Sequence, residues 1–162
     1  MRAVCIVMSR IREVIKFVNK VSLCFLSTVD GNQPKVRVMR ILKADSTGFY
    51  FQTMITKDLP YQLAHNPNVE VCFFEEIPGS IGGISLRISG KIEFVDNITL
   101  RRKTFKDRPI MKYMGTRLHS PEMLFFRISE GEAFFWTLDT DNERKDRIKF
   151  SLSAKEKNGD HF

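Results

Sequence analysis

Residues 25–57, FLSTVDGNQPKVRVMRILKADSTGFYFQTMITK, read as three strands joined by two turns. Asp30-Gly31 separates two runs of alternating apolar residues, and Asp-Gly at such a break is a strong short-range signal for a hairpin. A second turn near Ser46-Thr47-Gly48 leads into Phe49-Tyr50-Phe51-Gln52-Thr53 and the loop Met54-Ile55-Thr56-Lys57. The strand between the turns, Lys35 to Lys43, carries four cations. Side chains alternate faces along a strand, so Lys35, Arg37 and Lys43 are placed on one face with Met39 and Ile41, and Arg40 on the other. Cations mixed with apolar residues on one face suit an anion site beside a packed wall. The alternative is a basic edge strand that discourages aggregation.

The chain has 162 residues, 43% of them hydrophobic, enough for one domain with a sizeable core. Fourteen phenylalanines, many in strand-like runs, favour a β-rich core over a helical bundle. The net charge of +7 invites a nucleic-acid partner, but the cations are scattered and no block of five or six like charges occurs. Such a diffuse field serves small anions such as phosphates equally well. Cys5, Cys24 and Cys72 are odd in number and lack metal-ligand spacing, which implies reduced thiols in a cytoplasmic protein and no metal site. Cys24 and Cys72 sit inside apolar strands and are expected in the core. Residues 1–8 are too short for a spanning helix or a signal segment. They read as an N-terminal extension, with Met8 a second candidate start.

Outward from the opening stretch, Ile11, Val14, Ile15 and Val18 fall at helical spacing between Ser9, placed to cap, and Lys20. A strand is expected from Val21 to Val29. Lys57 to His65 reads as a short helix with Pro60 in its first turn, stopped by Asn66-Pro67. Asn68 to Glu75 alternates as a strand. Ile77 to Gly83 is a loop without the lysine and hydroxyl ending of a phosphate-gripping glycine loop. Ile84 to Val95 is a long strand with a bulge or bend expected at Gly90. Asn97 to Arg108 is expected as a basic helix, and Pro109 to Ser120 as an irregular, lid-like segment. Glu122 to Ile128 and Glu132 to Leu138 form an expected last hairpin across Ser129-Glu130-Gly131. From Asp139 the chain turns polar, and residues 151–162 read as a disordered tail. The expected architecture is mainly β: an antiparallel, partly closed barrel of six to seven strands, Greek-key in type, with peripheral helices, over residues 9–150.

An ordered series of motifs then resembles the pyridoxamine 5′-phosphate oxidase-like family of flavin-binding split barrels. It comprises Phe25 to Gly31, Pro34 to Arg37, Phe51-Gln52-Thr53, Lys57, Gln62 to Val71, Leu86 to Lys91 and Phe134-Phe135-Trp136, and spans roughly residues 9–150. The resemblance implies a homodimer with FMN in two equivalent clefts between subunits. The family's phosphate-gripping Arg and Lys fall on Arg37 and Lys57, with Thr56 as a hydroxyl donor. An FMN phosphate is a dianion, which a guanidinium fork and a mobile ammonium both suit. By the same resemblance the main chain at Val38-Met39 and Gln52-Thr53 lines the flavin ring, Ser85 makes a polar contact, and Trp136 is the aromatic near the flavin.

The chain departs from the oxidases themselves after Trp136. Their Arg-x-His-Asp-Arg pattern is here Glu143-Arg144-Lys145-Asp146-Arg147, so an anion and a lysine replace the pair that holds a vitamin B6 phosphate. A carboxylate opposite a phosphate is repulsive, which argues against B6 oxidation. The expected function is therefore FMN binding with flavin-dependent oxidoreduction of an unidentified small molecule. The alternative is a non-catalytic binder or sensor of flavin, deazaflavin or haem. Haem would want an axial histidine, and His65, at a helix C-terminus, and His119 are the available ones; His161 lies in the tail. A nucleic-acid-binding barrel would need exposed aromatics beside the cations, of which Tyr50 is the best available. Neither a nucleic-acid nor a membrane partner is expected.

Overall fold

The structure is a computed structural model that describes residues 2–79, 82–96, 123–138 and 146–153, with positions 100, 102 and 106; of residues 2–8 it describes the backbone only. Helix α1 spans Arg2–Val21. Ile11, Val14 and Val18 are its buried stripe, as the spacing predicts. The helix starts well before Ser9, which lies inside it and does not cap it. Residues 2–8 contain no proline or glycine, so once nucleated the helix continues toward the N-terminus at little cost. Ser22, at φ +57°, ends it.

Eight strands follow among the described residues: β1 (Leu23–Asp30), β2 (Gln33–Arg40), β3 (Lys43–Asp45), β4 (Gly48–Met54), β5 (Asn68–Glu76), β6 (Gly83–Phe94), β7 (Met123–Trp136) and β8 (Ile148–Ser151), with helix α2 (Asp58–His65) between β4 and β5. They form one antiparallel sheet in the order β2-β1-β5-β6-β7-β4-β3, with β8 on β7. Because β5, β6 and β7 are consecutive and β4 returns beside β7, the connectivity is of Greek-key type. This is the expected split barrel with peripheral helices; short β3 and β8 add to the six or seven strands foreseen. Ser151 closes β8, and the Leu152 N–H donates to the Ser129 carbonyl at 2.7 Å.

The curl of the sheet follows from one crossing. β2 and β3 are neighbours in sequence but lie at opposite ends of the strand order. Between them Ile41 and Leu42 step across, the Ile41 N–H bonding the Ser22 carbonyl at 2.9 Å and the Leu42 N–H that of Tyr50 at 2.8 Å. The single strand expected from Lys35 to Lys43 is therefore two. Ile41 is core, and Lys43 belongs to β3, where its Nζ lies 2.5 Å from Asp45 Oδ2 and over the Tyr50 ring. It does not share a face with Arg37.

The interior is filled by Phe49, Phe51, Phe73 and Phe126 with Leu26, Val71, Leu86, Ile88 and Ile128. Val14 and Val18 of α1 join this core. Asn19 acts as a strand there: its Nδ2 donates to the Ala44 carbonyl at 2.8 Å, and its Oδ1 accepts the Ala44 N–H at 3.0 Å.

The expected last hairpin is instead one continuous strand, β7, paired with β6 nearly throughout. Gly131 sits opposite Gly90, and a Cβ on Gly131 would lie 2.0 Å from the Ser89 carbonyl oxygen. Glycine there permits close backbone approach at a bend rather than a reversal. The bulge expected at Gly90 is present as a register shift between Gly90 and Ile92. Tyr50 is buried, so it offers no exposed stacking surface. In the expected helix from Asn97 to Arg108, Leu100, Arg102 and Lys106 are helical, and Leu100 packs with Tyr50, Met123 and Phe125. The segment Pro109 to Ser120, Glu143, Arg144, Lys145, His119, His161 and residues 154–162 lie outside the described residues.

Candidate functional site: a cleft along the split

The barrel is open where β2 and the far half of β4 face each other. Among the described residues β2 is paired only with β1. β4 is paired with β3 through Gly48, Phe49 and Tyr50, and that ladder does not extend to the far half of β4 among the described residues. A cleft of about 450 Å³ occupies this opening, within the usual size range of small-molecule sites. Its walls are Lys35 to Met39 of β2 and Thr53 of β4. Its floor is the start of α2, with Lys57, Asp58, Leu59 and Gln62, and Asp30 closes one end.

Because β2 is an edge, both of its faces reach the cleft. Arg37 and Met39 are half-buried on the inner side, while Val36 and Val38 are exposed on the outer side. The register sets Arg37 opposite Leu26 and Lys35 opposite Thr28, all on the inward side of the β1–β2 hairpin. That placement accounts for the Arg37 contacts. Its Nη2 donates to Thr28 Oγ1 at 2.9 Å and to Gln62 Oε1 at 2.6 Å. The Thr28 hydroxyl donates in turn to Gln62 Oε1 at 2.7 Å. Gln62 Nε2 lies 3.4 Å from Asp30 Oδ2. Arg37 Nη1 is buried and has no hydrogen-bond partner among the described residues. Burial pulls the Arg37 guanidinium below its ordinary pKa, and the nearby Asp58 carboxylate partly offsets this.

Lys57 is the N-cap residue of α2, in extended backbone, and makes no side-chain cap. The start of α2, at the cleft, therefore has no side-chain acceptor from its cap residue for the Asp58 and Leu59 amides. The lining carries Lys35, Arg37 and Lys57 against Asp30 and Asp58, a net positive charge. Among the described residues no group of three or more His, Cys, Asp or Glu is placed to hold a metal ion.

Of the site residues expected from the sequence, Arg37, Val38, Met39, Thr53 and Lys57 come together in this cleft. Gln52 and Thr56 are adjacent in the chain but do not line it. Gln52 pairs across from Phe125, next to the second apolar cluster, and Thr56 is exposed in the turn before α2. Ser85 and Trp136 are cross-strand partners on β6 and β7. β6 is three strands from β2, at roughly 4.8 Å per step. Both face away from the interior, alternating with buried Leu86 and half-buried Phe135, and neither reaches the cleft within one chain. His65 stacks on Tyr61 at 4.0 Å with Nδ1 at the Tyr61 carbonyl, outside the cleft. Arg147 is engaged structurally, bonded to Glu132 at 3.0 Å and lying over the Phe134 ring.

Thr28, Gln62, Asp30 and Asp58 are the lining and supporting residues that reading the sequence for cations overlooks. Their signal is a polar residue on an apolar stripe. Thr28 continues the inward series Cys24, Leu26, and Gln62 falls three residues after Leu59 beside Leu63 on the buried face of α2. Both are almost fully buried, which polar side chains accept only with partners.

Comparison with known proteins supplies the kinship. No curated protein matches this chain. Among solved structures, a NimC/NimA family protein from Clostridium acetobutylicum is 20% identical with a TM-score of 0.69, over 87% of this chain and 91% of that one. The haem storage protein HutZ of Vibrio cholerae is 14% identical with a TM-score of 0.60, over 88% and 97%. A FAD-binding protein from Mesorhizobium loti is 19% identical with a TM-score of 0.54, over 72% and 89%. At these identities the likeness is one of fold. The family model described as pyridoxamine 5′-phosphate oxidase matches residues 11–136, more than three quarters of the sequence, and the chain belongs to that family.

Proposed function

We propose that the cleft binds FMN by its phosphate, and that the protein is a flavin-dependent oxidoreductase of a small molecule, working as a homodimer. The observation that carries this reading is the Arg37 guanidinium lining a positively charged cleft, with a buried Nη1 that has no partner among the described residues. An unsatisfied buried donor on a charged group costs about 1–3 kcal/mol or more, which an anionic oxygen would recover. Family membership supports a flavin, as does the FAD-binding protein of similar fold. A haem, suggested by the name of the haem storage protein, would need an axial ligand, and no histidine lines the cleft among the described residues.

The residues present fit such a group. Arg37 and Lys57 would hold the phosphate, one as a fork of fixed direction and the other as a mobile charge, beside the start of α2. Met39, Val38 and Leu59 supply the apolar surface that keeps water from a bound ring. Thr53 offers a hydroxyl from the opposite wall. The lining contains no cysteine or histidine among the described residues, so hydride or electron transfer would come from the flavin itself. The chain's part is to bind, orient and exclude water. Electron donor and substrate would enter from the open side of the split.

Titration of the purified protein with FMN and with riboflavin, followed by flavin fluorescence, tests this. FMN should bind more tightly than riboflavin. Arg37→Ala or Lys57→Ala should each weaken FMN by about 1.5–3 kcal/mol, the range for hydrogen bonds to charged groups, and leave riboflavin nearly unchanged. No flavin binding, or equal losses for both ligands, overturns the proposal.

A further inference from the structure

We infer that Gln62, with Thr28, is a positioning residue for the Arg37 guanidinium; the inference rests on the reading of Arg37 as the phosphate ligand. Three hydrogen bonds form a closed triangle. Arg37 Nη2 gives to Thr28 Oγ1 and to Gln62 Oε1, and Thr28 gives its single proton to Gln62 Oε1. The donor inventory leaves no second way to arrange it. Arginine can only donate, so the Gln62 oxygen, not its NH₂, must face Arg37. Oε1 then has both lone pairs filled, and Thr28, having given its proton to Gln62, must accept from Arg37. The opposite end of the Gln62 amide points its Nε2 toward Asp30, an acceptor, which fixes the same orientation from the other side.

This triangle sits where rearrangement is costly. Thr28 is 2% exposed and Gln62 3%. Hydrogen bonds in such surroundings are strong, and breaking one strands a buried polar group. Gln62 is carried on α2 between Leu59 and Leu63, both buried, so the helix delivers the amide at a fixed height. The consequence for Arg37 is directional. Both hydrogens of Nη2 are committed to the protein, the guanidinium plane is set, and Nη1 is the terminal nitrogen left without a hydrogen-bond partner among the described residues. A flexible arginine on an edge strand would instead lose rotamer entropy on each binding event. Gln62 removes that loss beforehand, and it does so without touching the ligand's charge.

The test separates positioning from fold and from ligand identity. Gln62→Leu and Gln62→Glu are compared with wild type in two measurements. The first is the ratio of FMN to riboflavin affinity. With Gln62→Leu it should fall about tenfold, equivalent to about 1.4 kcal/mol, while riboflavin affinity changes less than about twofold. Gln62→Glu keeps acceptors for Thr28 and Arg37 but adds a carboxylate that competes with the phosphate, so the ratio should fall at least as far. Unchanged ratios in both variants overturn the inference. The second is ligand-free: ¹H–¹⁵N spectra of the Arg37 guanidinium, in which anchored Nη2 gives separately resolved Nη signals in wild type that merge through free rotation in Gln62→Leu. Resolved signals that persist in the variant overturn the inference even if FMN binds. If wild type binds no flavin, the phosphate reading fails, and the spectra alone decide whether Gln62 holds Arg37. Should Gln62→Leu not fold, Thr28→Val replaces it in both measurements with the same expected directions.

Discussion

The Cys24 thiol lies on the inner face of β1, fully buried, with its Sγ donating to the Met39 carbonyl at 3.4 Å. Burial, then the nearby Cys72, push its pKa up to about 12 from an ordinary value of 9.0, and Arg40 only partly opposes them. The thiol is thus held neutral in the folded chain. Between pH 9 and 12 the unfolded chain releases this proton and the folded chain keeps it, so stability present below pH 9 is lost as pH rises. The slope is at most about 1.4 kcal/mol per pH unit from this group. The stability difference between wild type and Cys24→Ala, from urea unfolding, should therefore narrow as pH goes from 8.5 to 10.5. A constant difference would show that the thiol ionises as freely folded as unfolded. At this scale the sequence was legible where charge broke a pattern. Arg37 and Lys35 stood out as cations among Val36, Val38 and Met39, and the cleft lies there. Gln62 and Thr28 did not stand out, because a neutral polar residue on an apolar stripe declares itself only when its partner is known, and that partner comes from a strand or helix far away in sequence.

Elements were legible from local periodicity and misread where long-range pairing decided. Gly131 within Ser129-Glu130-Gly131 carries the local marks of a turn, but its place opposite Gly90 makes it a point of close approach inside β7. Lys35 to Lys43 alternates as one strand, yet the chain must leave one edge of the sheet for the other at Ile41, a demand of topology that alternation does not record. The same demand explains Asn19. β3 is three residues long and, among the described residues, is paired with β4 on one side only, so its other edge would expose the Ala44 N–H and carbonyl. The Asn19 amide satisfies both from α1. Asn19→Ala leaves two backbone groups without partners and should cost about 1–3 kcal/mol of stability. Hydrogen exchange gives the specific readout: the Ala44 amide should exchange much faster in the variant, while amides in β6 and β7 slow or quicken only with global stability. Unchanged protection at Ala44 would mean that β3 is held by β4 alone.

Across the whole molecule, the outer face of β2-β1-β5 does not look like a surface meant for water. Val36 and Val38 on β2 are 65% and 62% exposed, Leu23 and Phe25 on β1 44% and 43%, and Phe74 on β5 48%. The register joins them into one patch, with Phe25 opposite Val38 on one side and Cys72 on the other. A contiguous apolar patch of this kind marks an interaction surface. A second copy of the chain is the occupant expected by family resemblance. It would also explain why Ser85 and Trp136 face outward on the same sheet, three and four strands from β2: they could serve a partner's cleft while remaining remote from their own. The expected outcome is that the 18.8 kDa chain sediments as a dimer at micromolar concentration, burying more than about 1,000 Å² in total. Phe25→Asp, which puts a charge at the centre of the patch without touching the barrel interior, should yield a folded monomer by sedimentation and circular dichroism. FMN affinity should fall with dimerisation, since half of each ring site would be missing, and should recover as protein concentration is raised. A monomeric wild type in the presence of FMN would overturn this assignment of the face. A Phe25→Asp monomer with undiminished FMN affinity would show that each cleft is complete in itself and that Ser85 and Trp136 have no part in it.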